Sequence, residues 1–119
     1  MSSNLLLLIY VLGMAAGQLL FKITASRLKG LESIYDIFWF LAKDWIFFVA
    51  LALYGLLTLY WIWLLNRVPI SYAYPFVALS IAVVVVSGWL FWGEKFVFLH
   101  GIGVVLVMIG VILIGVSGE

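Results

Sequence analysis

The chain has 119 residues, 68% of them hydrophobic, 18% aromatic and 9% charged, with a net charge of +1. A soluble domain is typically about a quarter charged and cannot hide so much apolar surface at this size, while disordered chains are polar and charge-rich. Six basic against five acidic residues leave no electrostatic footprint for nucleic acid, and the lack of cysteine removes disulfides, thiolate nucleophiles and Cys-based metal sites.

An integral membrane protein remains. A hydrocarbon core about 30 Å thick takes about 20 apolar residues in a helix. Residues 5–22, 45–65, 70–92 and 96–116 qualify, which predicts an all-α protein with four transmembrane helices in one membrane domain, 1–119.

The first span follows Asn4, a candidate N-cap. Residues 1–4 carry no side-chain positive charge and the apolar run is long, which argues against a cleaved signal peptide. Gly13-Met-Ala-Ala-Gly17 is a GxxxG motif that permits close helix approach, read here as internal packing. Gln18 and Lys22 are four residues apart and share a face. A polar residue in a span is costly without a partner. Lys22 either snorkels to the surface or neutralises an anionic headgroup to which Gln18 donates.

Residues 24–43 hold Arg27, Lys29, Glu32 and Asp36, so the first half of this linker must be wet. Ser33-Ile-Tyr-Asp36 has the pattern of a capping box, and Ile34, Ile37, Phe38 and Leu41 then share one face. The pattern predicts a short interfacial helix, the alternative being an early start to the second span. Asp44 is the expected N-cap of that span. Tyr54, Thr58 and Trp61 form a stripe within it that reads as packing, and the Trp residues near helix ends read as an aromatic belt.

The third span opens at Pro69, a favoured first-turn residue. Pro75 then falls inside the helix, removes the hydrogen bond to the Ser71 carbonyl and predicts a hinge or kink. Ser71, Tyr72 and Tyr74 surround the bend, and Tyr72, Ser80 and Ser87 continue along one face as the best cavity-lining candidates in this helix. Gly93 and Glu94 mark a structural turn, where Glu94 suits the positive end of the fourth helix. In the fourth span Gly103 and Gly110 lie seven apart, consistent with either internal packing or a dimer seam. The single His100 reads as an interfacial or packing residue, not a metal ligand.

Lys22, Arg27, Lys29, Lys43 and Lys95 lie on the side of the first and third connections, against Arg67 alone opposite. The positive-inside rule then puts those connections in the cytoplasm and both termini outside. None of the five acids, Glu32, Asp36, Asp44, Glu94 and Glu119, lies mid-span. Proton-coupled cation export generally uses an intramembrane carboxylate. No nucleophile–base pair or cofactor motif points to an enzyme.

The run from Val68 to Phe76, the Gly93-Glu-Lys95 turn, Gly101-Ile-Gly103 and the run from Gly110 to Ile114 resemble the drug/metabolite transporter superfamily. Size and span count are similar to its small four-helix branch, which includes the small multidrug resistance proteins. The run from Gly17 to Lys22, with Ala73-Tyr-Pro75 and Leu79-Ser80, resembles the small EamA-like subunits proposed to flip aminoarabinose-phosphoundecaprenol for lipid A modification. The multidrug branch carries a glutamate about two turns before a lysine like Lys22, whereas Met14-Ala-Ala-Gly-Gln18 has no acid.

Four helices of about 20 residues barely enclose a pathway, which predicts a dimer, of two copies or with a paralogous subunit, and the resemblance implies the bacterial inner membrane. Its expected function is to move a polyprenyl-phosphate-linked sugar or similar anionic amphiphile by alternating access. Gln18, Lys22, Tyr72, Tyr74, Ser80 and Ser87 are the candidate binding residues. The alternatives are a small exporter of organic cations and a non-transporting accessory subunit.

Overall fold

The computed structural model describes residues 3–118, helical along most of that length and with no strand among the described residues. Five helices follow in order: α1 (Ser3–Arg27), α2 (Ile34–Lys43), α3 (Trp45–Leu65), α4 (Ile70–Phe91) and α5 (Phe98–Ser117). All but α2 are long and apolar enough to cross a membrane, so the fold is an all-α protein with four spans.

Helix α1 outruns its apolar stretch. It continues past Lys22 to Arg27, where a cation in the last turn suits the negative end of the helix dipole. It already includes Ser3, so Asn4 lies inside the helix and is not its cap.

Helix α2 is an element of its own, not an early start to α3. Ser33 has extended backbone and its hydroxyl accepts the Tyr35 N–H at 3.3 Å. That donor is one residue short of Asp36, the position the capping-box pattern indicates. No residue of α2 is buried, and Ile34, Phe38 and Trp39 stay exposed.

Asp44 takes the N-cap position of α3, but its carboxylate makes no cap bond. It pairs instead with Arg27, Nη2 to Oδ1 at 2.5 Å. A full opposite charge outcompetes a backbone dipole for the same oxygens. The Arg27 guanidinium also lies over the Phe40 ring, 5.8 Å from its centroid.

Helix α1 packs on both α3 and α4, and α5 packs on α4. Lipid tails are as apolar as leucine, so helices associate in a bilayer through close fit and interhelical hydrogen bonds. The GxxxG motif serves that fit: Gly13 faces Leu57 and Gly17 faces the Tyr54 ring, both on α3. A Cβ at residue 17 would stand 2.6 Å from Tyr54 Cε2, while one at residue 13 would meet only the end of Leu57, at 2.8 Å. Gly17→Ala is therefore expected to cost about 1–3 kcal/mol through overpacking, and Gly13→Ala less, because the leucine can rotate away. Reversible unfolding in mixed micelles measures both; equal losses would mean that the Tyr54 ring yields as readily as a leucine methyl.

At the end holding the α3–α4 turn, the Tyr60 hydroxyl donates to the Leu6 carbonyl at 2.9 Å. The Tyr72 hydroxyl hydrogen-bonds the Asn4 side-chain oxygen and lies 3.4 Å from the Gly115 carbonyl. Leu7, Val11, Leu64, Val68, Ala73 and Phe76 form the core beside them.

Helix α4 runs unbroken through Pro75. The carbonyl that Pro75 leaves free belongs to Ser71, an exposed residue of the first turn, and this is where an unpaired carbonyl is most easily satisfied. On α5, Gly115 faces Phe76, whereas Gly103 and Gly110 have open space before them.

Candidate functional site

Helices α1 and α4 flank two half-open hollows of about 340 Å³ each. Lys22, Gly88, Trp92 and Glu94 line the one near the helix ends. Met14, Val77 and Ser80 line the deeper one. Gln18 and Val84 belong to both walls, so the hollows form one groove running from the α4–α5 connection toward mid-span. A larger hollow of about 440 Å³ beside Trp89, Phe96 and Ile102 has no amide or charged side chain in its lining, which suits hydrocarbon and nothing more specific.

Gln18 and Lys22 lie one turn apart on α1, and both are exposed toward the groove. The Gln18 amide donates to the Tyr54 hydroxyl at 2.8 Å, and that hydroxyl donates to the Met14 carbonyl at 3.3 Å. A side-chain amide has two donor positions, so the Tyr54 bond uses one. The Tyr54–Thr58–Trp61 stripe is accordingly packing: Tyr54 seats on Gly17, Thr58 bonds the Tyr54 carbonyl and Trp61 stacks on Tyr10.

The polar strip on α4 divides. Ser80 lines the deeper hollow, with its hydroxyl donating to the Val77 carbonyl at 2.6 Å. Ser87 is buried, bonds the Val83 carbonyl at 2.8 Å and contributes to neither hollow. Helical serines return their hydrogen to the preceding turn in this way, and are satisfied without a ligand. Tyr72 is at the far end of α4, fixed to Asn4. Tyr74 is 63% exposed and edge-on to Trp61, away from the groove. The structure thus gathers Gln18, Lys22 and Ser80, and leaves Tyr72, Tyr74 and Ser87 outside.

Glu94 is the groove residue that sequence reasoning assigned elsewhere. Helix α5 begins only at Phe98 with Val97 as its cap, so Glu94 lies outside the first turn, whose dipole it was expected to complement. The end of α4 folds back instead. The Trp92 and Glu94 N–H groups both donate to the Gly88 carbonyl, at 3.3 and 3.1 Å, and Gly93 turns the chain with φ +61°. This brings the Glu94 carboxylate over Gly88, into the space a Cβ there would fill. Its Oε2 reaches Lys22 Nζ at 3.2 Å, with the two side chains 50% and 46% exposed.

The groove therefore offers one cation with a carboxylate companion at its mouth, an amide one turn deeper and otherwise mainly apolar walls. Such a lining suits an anionic group attached to an apolar body. A helix-bound ammonium and a primary amide supply the polar contacts, and Leu19, Phe21 and Val84 face the remainder.

Residues 5–116 match the family model described as the EamA-like transporter family. The chain is also similar to proteins named probable 4-amino-4-deoxy-L-arabinose-phosphoundecaprenol flippase subunit ArnE. The relative from Hamiltonella defensa subsp. Acyrthosiphon pisum (strain 5AT) is 33% identical over 97% of each chain. That from Sodalis glossinidius (strain morsitans) is 33% identical over 93% of this chain and 96% of its own. A third, from Enterobacter sp. (strain 638), is 36% identical over 56% of this chain, a match spanning 63% of that relative. No solved structure matches. With the four spans and a family match over nearly its whole length, the chain belongs to the EamA-like transporter family and is a transporter, not an enzyme.

Proposed function

We propose that this chain is one subunit of an inner-membrane flippase for a polyprenyl-phosphate-linked sugar or similar anionic amphiphile. The observation that carries this reading is the α1–α4 groove, with Lys22 at its mouth and Gln18 one turn within. The phosphate would engage Lys22 first and then Gln18, while the polyprenyl tail stays in the bilayer along the open side. The names of the relatives, which specify a lipid-linked aminosugar and a subunit, support both the substrate class and the need for a second chain.

Four helices do not enclose a pathway, and the molecule is only 19 Å across its thinnest dimension, about two helix diameters. A second copy or a paralogous subunit would close the groove, with Gly103 and Gly110 on α5 as the close-approach surface. Rocking of the two subunits gives alternating access. The five-to-one bias in basic residues orients the Lys22 end toward the cytoplasm, where a lipid-linked sugar would be loaded, and leaves both termini outside.

The test is a proteoliposome assay of headgroup orientation for a polyprenyl-phosphate-linked sugar, run with the chain alone and with a paralogous subunit. Lys22→Ala and Gln18→Ala are each expected to slow flipping about two- to fivefold, the range of a partly exposed charged contact. Unchanged rates in both variants would remove the site assignment.

Export of small organic cations draws on the Glu94 carboxylate, which shares the groove with Lys22. Under that reading Glu94→Gln abolishes binding of a probe such as tetraphenylphosphonium. A paired carboxylate at the mouth is a weaker basis than a cation and an amide aligned along the groove, so the anionic substrate is preferred.

A further inference from the structure

We propose that Glu94 is a built-in competitor of the substrate phosphate: its carboxylate occupies Lys22 in the empty protein and must be displaced when a lipid-borne phosphate binds. The inference rests on the groove reading above and adds a device that regulates it.

Three features make Glu94 a removable occupant and not a fixed strut. Its bond to Lys22 joins two side chains that are each about half exposed, 46% and 50%, and such pairs are weak and exchange with solvent. It is borne on the non-helical connection between α4 and α5, beyond Gly93 in its left-handed conformation, so its backbone is not locked into a helix. And its seat exists only because residue 88 has no Cβ.

A carboxylate on an ammonium resembles a phosphate on the same ammonium, with less charge and fewer acceptor oxygens. A phosphate arriving along the groove would therefore take Lys22, and repulsion would drive Glu94 from Gly88. When the phosphate leaves, Glu94 returns and keeps the cation from retaining it. The ligand class is a phosphate on an apolar tail, because Leu19, Phe21, Ala25 and Val84 line the same hollow.

The experiment titrates decaprenyl phosphate into the full chain held in phosphatidylcholine nanodiscs, reading the ³¹P resonance of the probe, with inorganic phosphate as a parallel titration. Glu94→Gln removes the competing charge, and Gly88→Ala keeps the charge but evicts it from its seat at the cost of moving one flexible side chain. Each is expected to tighten decaprenyl phosphate binding about two- to fivefold, the worth of a partly exposed pair, and the double variant no further. Lys22→Gln is expected to weaken binding and to abolish the gain from Glu94→Gln.

If Lys22→Gln weakens binding while Glu94→Gln and Gly88→Ala leave it unchanged or weaker, the competitor role falls and the groove reading stands. If Lys22→Gln changes nothing, the groove reading itself falls. Inorganic phosphate binding as tightly as decaprenyl phosphate would overturn the lipid-borne source.

Discussion

Arg27→Ala is expected to lower the stability of the folded protein by about 2–4 kcal/mol, within the range for stranding one member of a buried ion pair and reduced for partial exposure. The Asp44 side chain is 2% exposed, and its Oδ1 is held by Arg27 at 2.5 Å. Its Oδ2 is buried without a protein partner among the described residues, as is the Thr24 hydroxyl of α1. Removing the guanidinium would leave an uncompensated carboxylate against helix α1. The reverse change is milder, because Arg27 is 39% exposed and can turn to water. Asp44→Ala is therefore expected to cost about 1 kcal/mol, with the double variant close to that single one. Reversible unfolding in mixed micelles supplies the double-mutant cycle. A smaller loss for Arg27→Ala than for Asp44→Ala would mean that the carboxylate reaches water and that the pair does not tie α1 to the α2–α3 junction.

This pair shows where the sequence stops being legible. The four spans were readable because bilayer thickness sets the length of the apolar run, and α2 because Ser33 and the spacing of Ile34, Ile37, Phe38 and Leu41 are local signals. Helix α1 beyond Lys22 was not readable. Its last turn is polar, and its Arg27 is engaged by Asp44, 17 residues away. Asp44 was legible as the N-cap position of α3, but the partner of its carboxylate was not: a local rule cannot see a distant guanidinium.

The site divides along the same line. Gln18 and Lys22 were legible as polar residues sharing a face of an apolar helix, whereas Glu94 joins Lys22 across 72 residues. The positive φ of Gly93 was anticipated as a turn, but where that turn delivers Glu94 depends on Gly88 and on the packing of α4 against α1. Ser80 and Ser87 of α4 divide in a different way. A helical period places both on one side of α4, yet α1 flanks the groove beside only one of them.

Filling the groove where its two hollows share a wall should have the largest effect on transport. Val84 is partly exposed and lines both hollows together with Gln18, so a large ring at residue 84 would project between the cation at the mouth and the deeper hollow at Ser80. Val84→Trp is expected to slow flipping in proteoliposomes at least about tenfold, because a steric block acts on every substrate, whereas one lost exposed charge contact is worth about fivefold at most. Stability should change little: the new ring enters open space, and tryptophan is tolerated on surfaces facing lipid. Leu59→Trp is the matched control, since residue 59 is 66% exposed on α3 and contributes to neither hollow of the groove. If Val84→Trp and Leu59→Trp flip at the same rate, the substrate does not travel between α1 and α4. If wild type moves nothing with or without a paralogous subunit, the accessory-subunit reading takes its place. A block confined to residue 84, in a protein that unfolds as wild type does and still binds its paralogous subunit, would tie the path to the groove itself, because neither loss of fold nor loss of the partner then accounts for it.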